Sequence, residues 1–221
     1  MSIITEKENK LFAEWASKRG NDIVKDGVPC PEEYEKAKYK ITYVLKEPND
    51  YREPDMDLRS LVYEYGGVWH TWNNITRWTQ AILKDCEYPE VITPDDRKSW
   101  LRKISFLNLK KKNGGSSSSP AEIAKSAKED SDLILEQLII YKPDIIVCCG
   151  MDLVADCLAD YVFHYKDAWE SNRCFYVQLR GKKEKTAVLN CYHPLNLGTK
   201  KSCKQLYEDI RNLSKHALAN R

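Results

Sequence analysis

Three short polar segments carry the side chains best suited to chemistry. They are Lys46-Glu47-Pro48-Asn49-Asp50, Asn108 with Lys110-Lys111-Lys112 behind it, and Tyr192-His193-Pro194-Leu195-Asn196. Glu47 can orient or deprotonate a water within hydrogen-bond reach of a reacting carbon. Asn108 offers one acceptor and two donors in a plane, which matches a base edge that presents both kinds of group. His193 can donate a hydrogen bond to a leaving group that gathers negative charge. Such a set suits cleavage of a bond from sugar to base, in which the sugar becomes oxocarbenium-like and the base departs as an anion. That step requires no metal or other cofactor. Taken singly, each residue also has a plain reading as a turn carboxylate, a loop-satisfying amide or a half-buried loop imidazole. Their joint position at three strand ends argues for a site.

Four segments read as strands covered on both faces: Lys40–Leu45, Lys103–Leu109, Asp144–Cys149 and Lys185–Cys191. All are short, apolar and rich in β-branched or aromatic residues. Cys174–Leu179 reads as an edge strand turning through Arg180-Gly181 into the Lys185 strand. Helical patterns fill the intervals over Glu6–Lys18, Trp72–Lys84, Ala121–Tyr141, Asp152–Tyr161 and Ser202–Ala219, with Ser119-Pro120 as an N-cap and first helical position. The alternation predicts an α/β fold, a three-layer α/β/α sandwich with a central four-stranded parallel sheet, over residues 1–221 as one domain. Asn113–Ser119 reads as a mobile loop rather than a boundary, because strands lie on both sides of it. In such sheets ligands bind beyond the carboxyl ends of the strands. Glu47, Asn108 and His193 all follow or close strands there.

Composition sets outer limits. The 221 residues are 42% hydrophobic and 31% charged, which excludes a disordered chain. No apolar run approaches the roughly 18–20 residues of a membrane span, and Met1–Lys10 is too polar for a signal peptide, so a cytoplasmic protein is expected. Its eight cysteines form no CxxC pair and no cluster at zinc spacing, and they read as structural thiols. His70, His164 and His216 likewise read as structural. Neither a P-loop nor a GxGxxG turn is present. The net charge of +2 divides into −2 over residues 1–109 and +4 over residues 110–221. Lysines cluster at Lys110–Lys112, at Lys182, Lys183 and Lys185, and at Lys200–Lys201. The first and last of these clusters lie close to the expected pocket edge, where phosphates of a bound strand would run.

The order of these motifs, strand then Lys46-Glu47-Pro48-Asn49, then Phe106-Leu107-Asn108, then His193-Pro194-Leu195, resembles the uracil-DNA glycosylase superfamily. The likeness spans about Ile41 to Leu197 on few and short matches. It implies that Glu47 and His193 are catalytic, the first activating water and the second assisting the departing base. Asn108, Asn49 and an aromatic residue, Trp69 or Trp72, would hold the base. The likeness makes Leu195, or Leu197, the wedge that fills the hole left by an extruded base. Lys110, Lys111, Asn196 and Lys200 are the further expected DNA contacts, and a single chain suffices.

Two departures bear on the substrate. Lys46 stands where uracil-specific members have Gly, and Asn49 replaces their Tyr, which blocks a 5-methyl group. A pocket without that barrier admits a substituted pyrimidine, for instance a modified cytosine of phage DNA removed in defence. Two other readings remain: a non-catalytic binder of DNA or of a modified base, and a hydrolase of free nucleotides or nucleosides. A lyase would need a Schiff-base lysine, for which Lys46 is the one neighbour to consider.

Overall fold

The computed structural model describes residues 2–49, 57–67, 70–115, 117–165, 173–195 and 199–221. Its strands are β1 (Ile41–Leu45), β2 (Ser105–Asn108), β3 (Ile145–Cys149), β4 (Cys174–Val177) and β5 (Thr186–Cys191). They form one sheet in the order β2-β1-β3-β5-β4. The β1, β2, β3 and β5 strands are parallel, and β4 adds an antiparallel edge to β5. The four-stranded parallel core is as expected, and the Cys174 segment is the fifth strand. Every residue of the parallel strands is buried, as their near-continuous apolar composition requires.

Alternating side chains divide the core into two layers. Tyr43, Phe106, Val147 and Leu189 face helices α3 (Leu58–Tyr65), α4 (His70–Lys84) and α9 (Cys203–Ala219). Val44, Leu107, Cys148 and Val188 face α1 (Ile3–Arg19), α6 (Pro120–Glu129), α7 (Ser131–Tyr141) and α8 (Leu153–Cys157). The cysteines of the described chain are free thiols, and those at 148, 149 and 191 are buried. No helix among the described residues is long and apolar enough to cross a membrane.

Three short elements escaped the sequence reading: α2 (Pro31–Lys36), α3, and α5 (Pro94–Leu101). The single helix expected over Ala121–Tyr141 is two. Asp130 leaves helical geometry at φ −111°, ψ 16°, and its buried carboxylate takes a hydrogen bond from Arg19 Nε at 2.9 Å. Pairing with α1 thus outweighs helix continuity. The helix that follows β3 loosens at Leu158–Val162 into a π-helical turn. Ser119 caps α6 as expected, accepting from the Glu122 amide.

Register decides where the sheet edge lies. Leu45 pairs with Asn108, and Cys149 pairs with Cys191. Asn108, Glu47, Gly150 and His193 therefore sit within two residues of one edge. The chain steps from β1 to β2 on one side and then to β3 on the other. The crevice between β1 and β3 is thus the topological switch point.

Candidate active site

A cavity of about 400 Å³ opens at this edge. Glu47, Asn49, Trp72, Asn108, His193 and Leu195 all line it, with Lys46 and the small residues Gly115, Ser117 and Ser118. Six of the residues read from the sequence therefore meet in one place. Trp69 and Asn196, with Asp50 and Leu197, lie outside the described residues.

Glu47 follows β1 and leads into the buried Pro48. Its Oε2 accepts from Lys110 Nζ at 2.8 Å, while Oε1 takes no hydrogen bond from a described residue. Lys110 is held in turn by Glu122 at 3.1 Å. Burial opposes its charge, but the two carboxylates outweigh that effect and raise its pKa. Lys110 accordingly serves as the counter-ion of Glu47, a role different from the phosphate contact expected of it.

Asn108 closes β2 and is buried. Both its backbone N–H and its Nδ2 donate to Asp26 Oδ2, at 2.7 and 3.1 Å. A carboxylate is an acceptor only, so Asp26 fixes which way the Asn108 amide faces. Its Oδ1 takes no hydrogen bond from a described residue, and one N–H remains to meet a ligand. Asp26 reaches this spot because its segment runs along the outer side of β2. Phe106 N–H donates to Gly27 O at 3.0 Å, and Val24 N–H to Lys111 O at 2.8 Å.

Lys111 belongs to the same buried network. Its Nζ lies 2.8 and 2.9 Å from the two Asp26 oxygens and 2.9 Å from Gln137 Oε1, with 3% of the residue exposed. Burial lowers its pKa against the pull of Asp26. It is therefore not available to DNA, and that expectation is corrected. Lysine triplets read as a solvated face, but here the alternation at the end of β2 turns the middle one into the core. The network continues through Gln137 and Tyr141 to Glu8, whose Oε2 meets Arg59 at 2.7 Å. Nothing in the sequence marks Asp26 or this network, since its members lie far apart along the chain.

His193 stands two residues beyond β5. Leu195 N–H donates to its Nδ1 at 3.2 Å, so the neutral ring carries its proton on Nε2. Burial, and then the nearby Lys46 charge, push its pKa down to about 4. The imidazole is thus a neutral N–H donor. Its loop is tied to α4, where Asn74 Nδ2 donates to Pro194 O.

Trp72 is 4% exposed and packs edge-on against Phe106, with ring centroids 5.0 Å apart. It forms a wall of the cavity. Leu195 lines the cavity and is 41% exposed. Lys200 is exposed but is not among the residues lining the cavity. Together these groups offer a carboxylate for a water, a fixed amide edge for a flat polar ring, and a neutral donor for developing negative charge. Among the described residues, no group of three or more His, Cys, Asp or Glu is placed to hold a metal ion. In comparisons with known proteins, the chain matches no family profile and no curated protein.

Proposed function

We propose that the chain is a monofunctional DNA base glycosylase of the uracil-DNA glycosylase type, acting on a flipped pyrimidine. The observation that carries this reading is that Glu47, Asn108 and a neutral His193 line one cavity at the switch point of the sheet. In the reaction the N-glycosidic bond breaks and its electron pair leaves with the base. Glu47 Oε1 receives a hydrogen bond from the water that attacks C1′ of the sugar, and the water's proton passes to the carboxylate or solvent. His193 Nε2–H donates to the base oxygen where charge gathers. Asn108 holds the base edge. The product is a free base and an abasic site.

A pocket near 400 Å³ falls in the range of roughly 300–1,000 Å³ that takes ligands larger than a bare pyrimidine. Asn49 lines it at the position where the resembled enzymes carry a blocking Tyr. Both features favour a pyrimidine substituted at carbon 5, such as a modified cytosine of phage DNA. The test is abasic-site formation on uracil, G·U and G·T oligonucleotides, ordinary DNA and DNA with modified cytosines. Alkali-labile sites on one substrate, reduced about 10²–10⁴-fold by Glu47→Gln, are expected. Intact DNA throughout, with folded protein, would defeat the reading.

One observation favours a second reading, a binder of the same fold. The Lys110 ion pair ties up one oxygen of Glu47 and neutralises its charge. Binding of a modified base undiminished by Glu47→Gln, with no product after long incubation, would select it.

A further inference from the structure

A second cavity, of about 300 Å³, shares one lining residue, Leu195, with the first. Its other walls are His70, Asn73, Asn74 and Arg77 of α4, and Cys203 at the start of α9. Residues 70, 73, 74 and 77 recur at the spacing of one helix face, so α4 turns a continuous polar stripe toward the opening. Trp72 and Thr71, on the adjacent face, line the first cavity.

The polar groups of this stripe have unequal freedom. Asn74 is fully engaged: Oδ1 accepts from Arg77 at 2.9 Å, and Nδ2 donates to Pro194 O and to Cys203 Sγ. Asn73 is not. Arg97 donates to its Oδ1 at 2.9 Å, which leaves both Nδ2 hydrogens without a partner among the described residues. A guanidinium has donors only, so the Asn73 oxygen is spent on Arg97 and the NH₂ group is what the residue has left to offer the cavity it lines.

Charge points the same way. Arg77 donates to Pro89 O, Glu90 O and Asn74 Oδ1, each at 2.9 Å, and all three acceptors are neutral. Arg97 also finds a neutral acceptor in Asn73. Neither guanidinium forms an ion pair with a described carboxylate, and no acidic side chain lines the cavity. Arg77 also lies over the Tyr88 ring, 5.1 Å from its centroid, and Arg97 stands behind Asn73 without lining the cavity. Two cations with no carboxylate partner among the described residues, beside an amide whose NH₂ group is unengaged, suit an anion.

We propose that this cavity binds a phosphodiester of the nucleic-acid strand, next to the nucleotide whose base enters the first cavity, with Asn73 Nδ2 as the direct donor. The inference rests on the glycosylase reading, since a strand must run past Leu195. His70, at the rim and exposed, is the second donor. Because Asn74 joins α4 to the loop of His193 and Leu195, an occupied second cavity also steadies the leaving-group donor.

The test uses the full chain in a Glu47→Gln background, which keeps the strand whole, and reads oligonucleotide affinity by fluorescence anisotropy against salt. Asn73→Asp pairs with Arg97, preserves the fold and cancels the positive charge. It is expected to weaken binding about tenfold, the loss of one charge-assisted hydrogen bond. The slope of log K against log salt should fall by about 1. Asn73→Ala, a better helix former, controls for folding and should weaken binding less. A neutral methylphosphonate at one linkage beside the target base should reproduce the loss in the Asn73 protein and add nothing in Asn73→Asp. Unchanged affinity and slope in Asn73→Asp, alongside abasic-site formation by the Glu47 enzyme, would overturn this site while leaving the glycosylase reading intact. Binding of inorganic phosphate as tight as that of the strand would reassign the site to the free anion. No oligonucleotide binding at any salt would overturn both readings.

Discussion

The backbone of Gly114 presses on the carboxylate of Glu47: a β-carbon at that position would lie 2.6 Å from Oε2 and nearer still to Cδ. Gly114 N–H donates to Pro48 O at 2.8 Å, so the loop after β2 is pinned to the loop after β1 at this point. Oε1 would lie closer to that β-carbon than Oε2 does, at 2.5 Å. With Lys110 on Oε2 the carboxylate is boxed in, and Oε1 takes no hydrogen bond from a described residue.

Gly114→Ala is therefore expected to act on Glu47 rather than on the fold. The methyl group forces the carboxylate aside, and a misplacement of about 1 Å costs about 10²-fold in rate. Abasic-site formation should fall by that order, with thermal unfolding little changed. A rate equal to that of the unsubstituted protein would mean that the position of Glu47 does not matter to the reaction.

His193 gives a pH signature. Its pKa is near 4 in the fold against an ordinary 6.5. As pH falls through about 6.5 the unfolded chain takes up a proton that the folded chain refuses until about pH 4. Stability is therefore lost across that window, by at most about 1.4 kcal/mol per pH unit, and the residue contributes no pH dependence above it. In urea unfolding, the difference between the protein and His193→Asn should be constant above about pH 6.5, and the protein should lose stability relative to the variant as pH falls toward 4. A difference independent of pH would show that His193 is not held neutral. The rate should show no inflection near 6.5 from this group, since in the proposed reaction the neutral ring is the donor.

The sheet is legible because strands covered on both faces leave a plain sequence signal, and the meeting of Glu47, Asn108 and His193 at one cavity because they stand beside those strands. Even α5 left a mark that went unread: Thr93-Pro94-Asp95-Asp96 forms a capping box with Pro inside it, and Asp96 takes the place usual for Glu. What could not be read is long-range. Lys111 and Lys110 are adjacent in sequence, yet one enters the core to meet Asp26 and the other bridges Glu47 and Glu122. Only the tertiary fold, which brings a residue 82 positions away beside Asn108, decides between these fates.

Asp26 offers the sharpest stability test. It is wholly buried and carries the Lys111 ion pair, the Gln137 amide at 2.9 Å and both Asn108 donors. Asp26→Asn strands a buried ammonium and is expected to cost about 3–5 kcal/mol in urea unfolding. Removing both charges, with Lys111→Met in addition, should recover part of that loss in a double-mutant cycle. If Asp26→Asn costs less than about 1 kcal/mol, the pair does not form in solution.

On the proposed glycosylase reading, Asn49 sets the size of base the pocket accepts. It lines the cavity beside Pro48, is exposed, and its segment bridges Gly114, so a larger side chain there meets the ligand rather than the core. Asn49→Tyr puts a ring where a substituent on carbon 5 would lie, at no expected cost to the fold. A pocket closed to one added group separates two bases by about 10–200-fold. Excision of a C5-substituted pyrimidine should fall by that factor while excision of an unsubstituted one holds or rises, measured as the ratio of the two kcat/KM values in one protein. An equal fall on both bases would mean that Asn49 touches the ring itself and that the substituent leaves the pocket by another wall, toward Ser117 and Ser118.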